Sequence, residues 1–150
     1  MLKSRTRFFI FLLLFFFLAA SFSPASNQLL KVTITRLHSN QGVVLVSLFK
    51  DGNGYPDDAS KAVGKEKGYI VEKSSTIIFK NVLPGSYAIA ILHDENNNQK
   101  MDKTILGIPK EGYGFSNNVS GAFGPPSYKK ASFIHSASWQ TEIIIKTKYF

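Results

Sequence analysis

Residues 29–50 read LLKVTITRLHSNQGVVLVSLFK. Leu30, Val32 and Ile34 alternate with Lys31, Thr33 and Thr35. A period of two places the apolar set on one face of a pleated strand and the polar set on the other. Asn40-Gln41-Gly42 is a turn signal. The run VVLVSLF at 43–49 is β-branched and nearly continuous, the pattern of a central strand. Together these stretches predict a hairpin, 29–38 with 42–50.

The same grammar continues downstream. Residues 51–68 hold four Gly and one Pro. Within them Pro56, Asp57 and Asp58 early and Gly64 late suit one or two helical turns over 56–63. Further strands are expected at 69–72, 76–80 and 86–92, the last after the turn signal Pro84-Gly85. In 86–92 (SYAIAIL), Tyr87, Ile89 and Ile91 share a face. Two more strands are expected at 131–135 and 139–148. The pattern predicts an all-β fold: an antiparallel β-sandwich of about seven strands, with one long irregular loop and at most a short helix.

The first 25 residues read as an address. Lys3, Arg5 and Arg7 precede FFIFLLLFFFLAA at 8–20, thirteen residues with no polar side-chain atom. A small, polar stretch broken by Pro24 follows. This is the order of a secretory signal, and the apolar run is shorter than the roughly 20 residues of a spanning helix. Ser23-Pro24-Ala25 favours cleavage after Ala25, with Ala19-Ala20-Ser21 as second choice. Residues 26–150 then form a single exported domain, periplasmic or extracellular, with no transmembrane span after cleavage. Its 15 Lys and Arg against 10 Asp and Glu leave a net charge of +5. With 125 residues, such a sandwich buries roughly two-thirds of its unfolded surface. The chain has no Cys, which excludes disulfides, Cys-ligated zinc and a thiol nucleophile.

Between Leu92 and Ala131 lie 38 residues without periodicity, holding five of the 11 Gly, three of the 6 Pro and five Asn. A compact domain does not tolerate so long a loop unless something organises it. Tyr113, Phe115, Phe123 and Tyr128 can pack it down. A bound ion can do the rest. Asp94, Asn96 and Asn98 stand two apart, and Asp102 follows at i+8. Short oxygen-tipped side chains at alternate positions let a tight loop wrap a hard cation. The expected calcium ligands are Asp94, Asn96, Asn98, the Lys100 backbone oxygen and Asp102. Two positions depart from the pattern: Gln99 stands where the sharp turn wants Gly, and Ile105 where a bidentate Glu would sit. With few charged ligands, the affinity expected is weak, about 10⁻⁴–10⁻³ M. The competing reading is a plain Asn-rich turn.

Catalytic signals are sparse. His38, His93 and His135 are scattered, and there is no G-x-S-x-G elbow, P-loop or H-E-x-x-H motif. No reaction is expected. A hydrolase using His93 and Asp94 is the least supported reading. The basic residues form no stripe interleaved with aromatics, so no nucleic-acid partner is expected. Tyr113, Phe115, Asn117, Asn118 and Tyr128 form a second candidate set. Two rings around Gly114, with amides beside them, suit a small molecule or a carbohydrate. The alternative folds these rings inward.

Several segments together resemble an uncharacterised family of exported bacterial proteins, domain of unknown function 2141. They are Gly42 through Phe49 with Asp51, Gly54-Tyr55-Pro56, Leu83-Pro84-Gly85-Ser86-Tyr87-Ala88, His93-Asp94-Glu95-Asn96, Gly112-Tyr113-Gly114-Phe115-Ser116-Asn117-Asn118 and Phe123-Gly124-Pro125-Pro126. The likeness covers about residues 29–148. It implies a prealbumin-like or carboxypeptidase-regulatory-like sandwich, commonly with Gly at the position of Gln99, and implies no activity. The expectation is an exported, non-enzymatic module, binding or structural at the cell envelope.

Overall fold

The computed structural model describes residues 28–121, 124–136 and 140–150. The expected leader at 1–25 with its expected cleavage site, Phe123 and Trp139 lie outside them. Eight strands form two sheets. In order they are β1 (Leu30–Thr35), β2 (Val43–Lys50), β3 (Gly64–Gly68), β4 (Ser75–Phe79), β5 (Gly85–Asp94), β6 (Gly112–Phe115), β7 (Phe133–His135) and β8 (Thr141–Lys146). One sheet runs β4-β1-β8, and the other runs β3-β2-β5-β6 with β7 also on β5. Among the described residues the helical content is two 3₁₀ turns, at Ala59–Lys61 and Ser116–Asn118, and one four-residue α-turn at Tyr128–Ala131. The all-β sandwich read from the sequence is therefore the fold. No helix among the described residues is long and apolar enough to cross a membrane.

The core is what alternation demanded. Leu30, Val32 and Ile34 of β1, with Ile77 and Phe79 of β4 and Ile145 of β8 beside them in the same sheet, pack against Val44, Val46 and Leu48 of β2 and Ile89 and Ile91 of β5. β2 and β5 are also covered outside. Phe49 and Ala88, register partners on the outer face, are fully buried. Tyr55 packs edge-on against Phe49, Phe115 and Tyr128, with ring centroids 5.5, 6.1 and 5.8 Å away. Segments 51–58 and 124–131 thus roof the larger sheet. That is why VVLVSLF reads as a continuous apolar run rather than an alternating one.

Three expectations are corrected. The predicted 29–38 and 42–50 hairpin does not form: β1 pairs with β4 and β8, while β2 pairs with β3 and β5. The connection crosses between sheets because Leu37 is apolar and plugs the end of the core, whereas a tight turn within one sheet would leave it in water. The pairing is also not wholly antiparallel, since β1 and β8 run parallel. A parallel pair needs a long crossover, and nearly the whole domain lies between them. The strand expected at 69–72 is instead a turn, with Tyr69 and Val71 exposed and Val71 bridged to Ser74. The edge strand is β3, GKEKG, which has no apolar side chain and pairs with β2 through its backbone. Its charged side chains keep the exposed edge from recruiting another chain.

β5 holds the architecture. Its first half pairs with β7 and its second half with β6, along one edge. In the gap between them, Ser116 Oγ accepts from Ile89 N (2.9 Å) and donates to Ala131 O (2.6 Å). Ser116→Ala strands a buried donor and a buried acceptor, an expected loss of about 2–4 kcal/mol. Ile89→Ala, at a fully buried site, should cost about 2–5 kcal/mol. Urea unfolding measures both. A loss below half a kilocalorie per mole for Ser116→Ala, within the ordinary surface range of about 0.5 kcal/mol, would show that the gap is closed by other means.

Candidate functional site

The loop begins where β5 ends, and Asp94 is the last residue of that strand. Asp94 is fully buried. Its Oδ1 accepts from Asn98 N (3.1 Å) and its Oδ2 from Gln99 N (2.8 Å), so the chain curls back over it. Each Asn then closes a smaller turn: Asn96 Oδ1 accepts from Asn98 N (3.1 Å), and Asn98 Oδ1 from Lys100 N (2.8 Å). Asp102 completes the ring, its oxygens accepting from Asn96 Nδ2 (2.6 Å) and Asn98 Nδ2 (3.1 Å). Asn97 and Gln99 have φ of 60° and 62°. The chain therefore makes the left-handed bend that glycine favours, with Gln99 supplying it against its side-chain preference.

The side chains of Asp94, Asn96, Asn98 and Asp102 thus meet around one loop. Lys100 contributes its amide to that loop, through Asn98. Glu111 is the residue the linear pattern missed. It is buried, and its oxygens accept from Glu95 N (3.1 Å) and Asp102 N (3.0 Å). The fixed spacing led to Ile105 instead. The chain first makes a hairpin, in which Lys103 bridges Pro109, and only then returns a carboxylate to the loop. An acid immediately before the Gly112-Tyr113-Gly114 strand was the available signal. Three carboxylates, those of Asp94, Asp102 and Glu111, now share one loop. Among the described residues none has a Lys or Arg within ion-pair distance.

A second polar cluster adjoins the loop through Glu95. His38 Nε2 and Ser39 Oγ both meet Glu95 Oε1 at 2.8 Å. Burial pushes the Glu95 carboxyl up, but the Ser39 hydroxyl and the His38 ring outweigh it and hold it below the usual carboxylate range. His93 is buried on the inner face, with Nε2–H donating to Gln41 O (2.8 Å) and Nδ1 meeting the Tyr149 hydroxyl (2.7 Å). Burial raises the Tyr149 phenol above its ordinary value. His38, His93 and Glu95 bring one ligand atom each within 4.8 Å of one another. Both nitrogens of His93 are already engaged, by Tyr149 and Gln41.

The second candidate set is dispersed. Phe115 and Tyr128 belong to the roof over the larger sheet. Tyr113 stacks on Phe150, with ring centroids 5.8 Å apart. Asn117 donates to Lys130 O (3.1 Å) and Ser132 O (2.8 Å). Asn118 donates to Ile144 O (3.0 Å) and accepts from Lys146 N (2.7 Å), so its side-chain amide serves the edge of β8 as a strand partner would. Gly112 and Gly114 are needed for close approach: a Cβ at Gly112 would lie 2.4 Å from the Tyr149 ring, and one at Gly114 2.7 Å from Ile145. At the other end of β2, a cleft of about 480 Å³ is lined by Leu48, Val63, Phe79 and Tyr87 together with Lys50 and Glu66. Among the described residues neither Lys50 nor Glu66 forms an ion pair.

Glu95 yields a pH prediction. A carboxylate whose folded pKa lies below its unfolded value stabilises the fold above the ordinary glutamate range. That contribution is lost as the pH falls through the folded value. Melting curves of Glu95→Gln and the parent should differ at neutral pH and converge as the pH drops below about 4. A gap that persists unchanged into acid would remove this assignment.

Comparison with known proteins gives one match. The family described as an uncharacterized protein conserved in bacteria (DUF2141) matches residues 32–143. No curated protein matches. No solved structure matches.

Proposed function

The chain belongs to this uncharacterised bacterial family, DUF2141, and from that premise we propose that it is an exported, non-enzymatic β-sandwich module of the cell envelope whose 94–102 loop holds calcium. One observation carries the ion. Asp94, Asp102 and Glu111 gather around a single loop, two of them buried, with no cationic side chain among the described residues to offset them. Burying carboxylate charge without compensation costs several kcal/mol, so such a cluster calls for a counter-ion.

The donors are all oxygen, which suits a hard cation, and their number and irregular arrangement suit calcium better than the octahedral demands of magnesium. The amide hydrogen bonds that shape the loop use one lone pair on each accepting oxygen and leave another free. The Asn96 and Asn98 side-chain oxygens each accept one backbone amide and keep a second lone pair for the ion. Calcium is placed as a structural brace. It would hold the return of the chain from β5 to β6 rigid, and with it the surface that the loop presents. Export rests on the signal-like residues 1–25, and the sandwich is read as of the prealbumin or carboxypeptidase-regulatory kind.

At millimolar calcium a site of this class adds about 1 kcal/mol by mass action. That corresponds to a rise in melting temperature of roughly 3–6 °C for a domain of this size. The experiment is thermal melting in calcium against chelator, for the parent and for Asp102→Asn, whose partly exposed site tolerates the change. The parent should show the rise, magnesium should produce less, and the variant should lose most of it. Identical melting in calcium and in chelator would end the reading.

A further inference from the structure

The cation loop carries a smaller device on its far side. Lys103 bridges Pro109, Thr104 N donates to Ile108 O (2.8 Å), and Gly107 N donates to Thr104 O (2.9 Å). Thr104 Oγ1 also accepts from Ile108 N (3.1 Å). Gly107, at φ 79°, makes the turn, and a Cβ built there would meet nothing within 4 Å. Residues 103–109 are therefore a short hairpin, held by its own backbone and standing in open space.

What it displays is apolar. Ile105 is fully exposed, Leu106 is 86% exposed and Ile108 is 42% exposed. Single exposed aliphatic residues are ordinary. Three within four positions, on a self-supported tip, form a concentrated apolar surface that folding leaves in water. The charges around it are sorted. Lys100, Lys103 and Lys110 are exposed at the base of the hairpin. The nearby acids turn inward: the Asp102 carboxylate meets Asn96 and Asn98, and the Glu111 carboxylate meets backbone amides.

We propose that the 103–109 hairpin docks the protein onto an anionic lipid surface. Ile105 and Leu106 enter the boundary between headgroups and acyl chains, while Lys100, Lys103 and Lys110 meet lipid phosphates. The shape favours a bilayer over a folded partner. A stable protein interface covers about 800 Å² on each side, far more than a narrow tip offers, whereas lipid closes around whatever is inserted. Interfacial binding of this kind combines a small buried apolar area with attraction between basic side chains and anionic headgroups, so it is reversible and weakens with salt. The inference deepens the envelope reading by naming its partner and rests on export to reach one. It does not need calcium to be bound, so its failure and that of the cation site are separately visible.

The test is co-sedimentation of the exported protein with vesicles of phosphatidylglycerol in phosphatidylethanolamine, beside vesicles of phosphatidylcholine alone, with and without calcium. The protein used is the mature chain, residues 26–150, so the apolar run at 8–20 contributes to no arm. The parent should partition onto the anionic vesicles and be released by salt. Ile105→Asp with Leu106→Asp should bind roughly tenfold or more weakly. Lys103→Gln with Lys110→Gln should also bind roughly tenfold more weakly, and lose salt sensitivity. All these positions are exposed, so equal melting temperatures for parent and variants will separate lost docking from lost folding. The proposal is overturned if the parent stays in the supernatant, if the Asp variant sediments like the parent, or if phosphatidylcholine binds equally well. It is also overturned if the tip instead pairs two copies, seen as a dimer that the Asp variant abolishes.

Discussion

Every amide of a buried strand needs a partner, and β5 satisfies this on its second edge without a full-length neighbour. Two short strands, β6 and β7, each pair with half of it, and the Ser116 hydroxyl serves the one amide left between them. This arrangement recruits the long 93–130 stretch. Pairing β6 with the end of β5 forces the chain leaving Asp94 to return at Glu111, seventeen residues later. Pairing β7 with its beginning brings 124–131 across the outer face, where Phe115 and Tyr128 join Tyr55 over Phe49. A stretch with no periodicity is thus tied at both ends and in the middle to the most buried strand of the domain.

The same pairing concentrates charge. A strand end and a strand start on adjacent positions bring Asp94 and Glu111 together, and Asp102 lies between them in the loop. Backbone amides accommodate these carboxylates, as they do in other anion-lined turns, and they set the loop's shape to within hydrogen-bond tolerance. Amides are dipoles, however, and do not neutralise charge. A cation is the complement proposed for them, and an all-oxygen donor set suits a hard one. The neighbouring Glu95 solves the same problem locally through Ser39 and His38.

Loop and hairpin form one unit with two chemistries. The base is polar, closed on itself and joined to the sheet. The tip is aliphatic and exposed. Rigidity at the base is what makes an exposed tip useful, because a presented side chain that is already ordered loses less entropy on docking. The rings and amides at 113–118 have a different task. Asn117 and Asn118 act as substitute backbone, and Gly112 and Gly114 let β6 lie against the chain's C-terminal segment.

Period-two alternation in 30–35 and the continuous apolar run in 43–49 were enough to specify a sandwich and most of its core, because burial on one face or two writes itself directly into side-chain polarity. The spacing of Asp94, Asn96, Asn98 and Asp102 likewise marked the loop, since ligand-bearing turns need short oxygen side chains at alternate positions. Strand pairing was not legible in the same way. β3 has no apolar residue and pairs through backbone alone, and Leu37 turned an apparent hairpin into a crossover by packing at the end of the core. Glu111 entered the loop, and Asn117 and Asn118 became strand partners, for a related reason. Backbone hydrogen bonding is indifferent to residue type, so which segment satisfies which edge was decided only when the two sheets closed on each other.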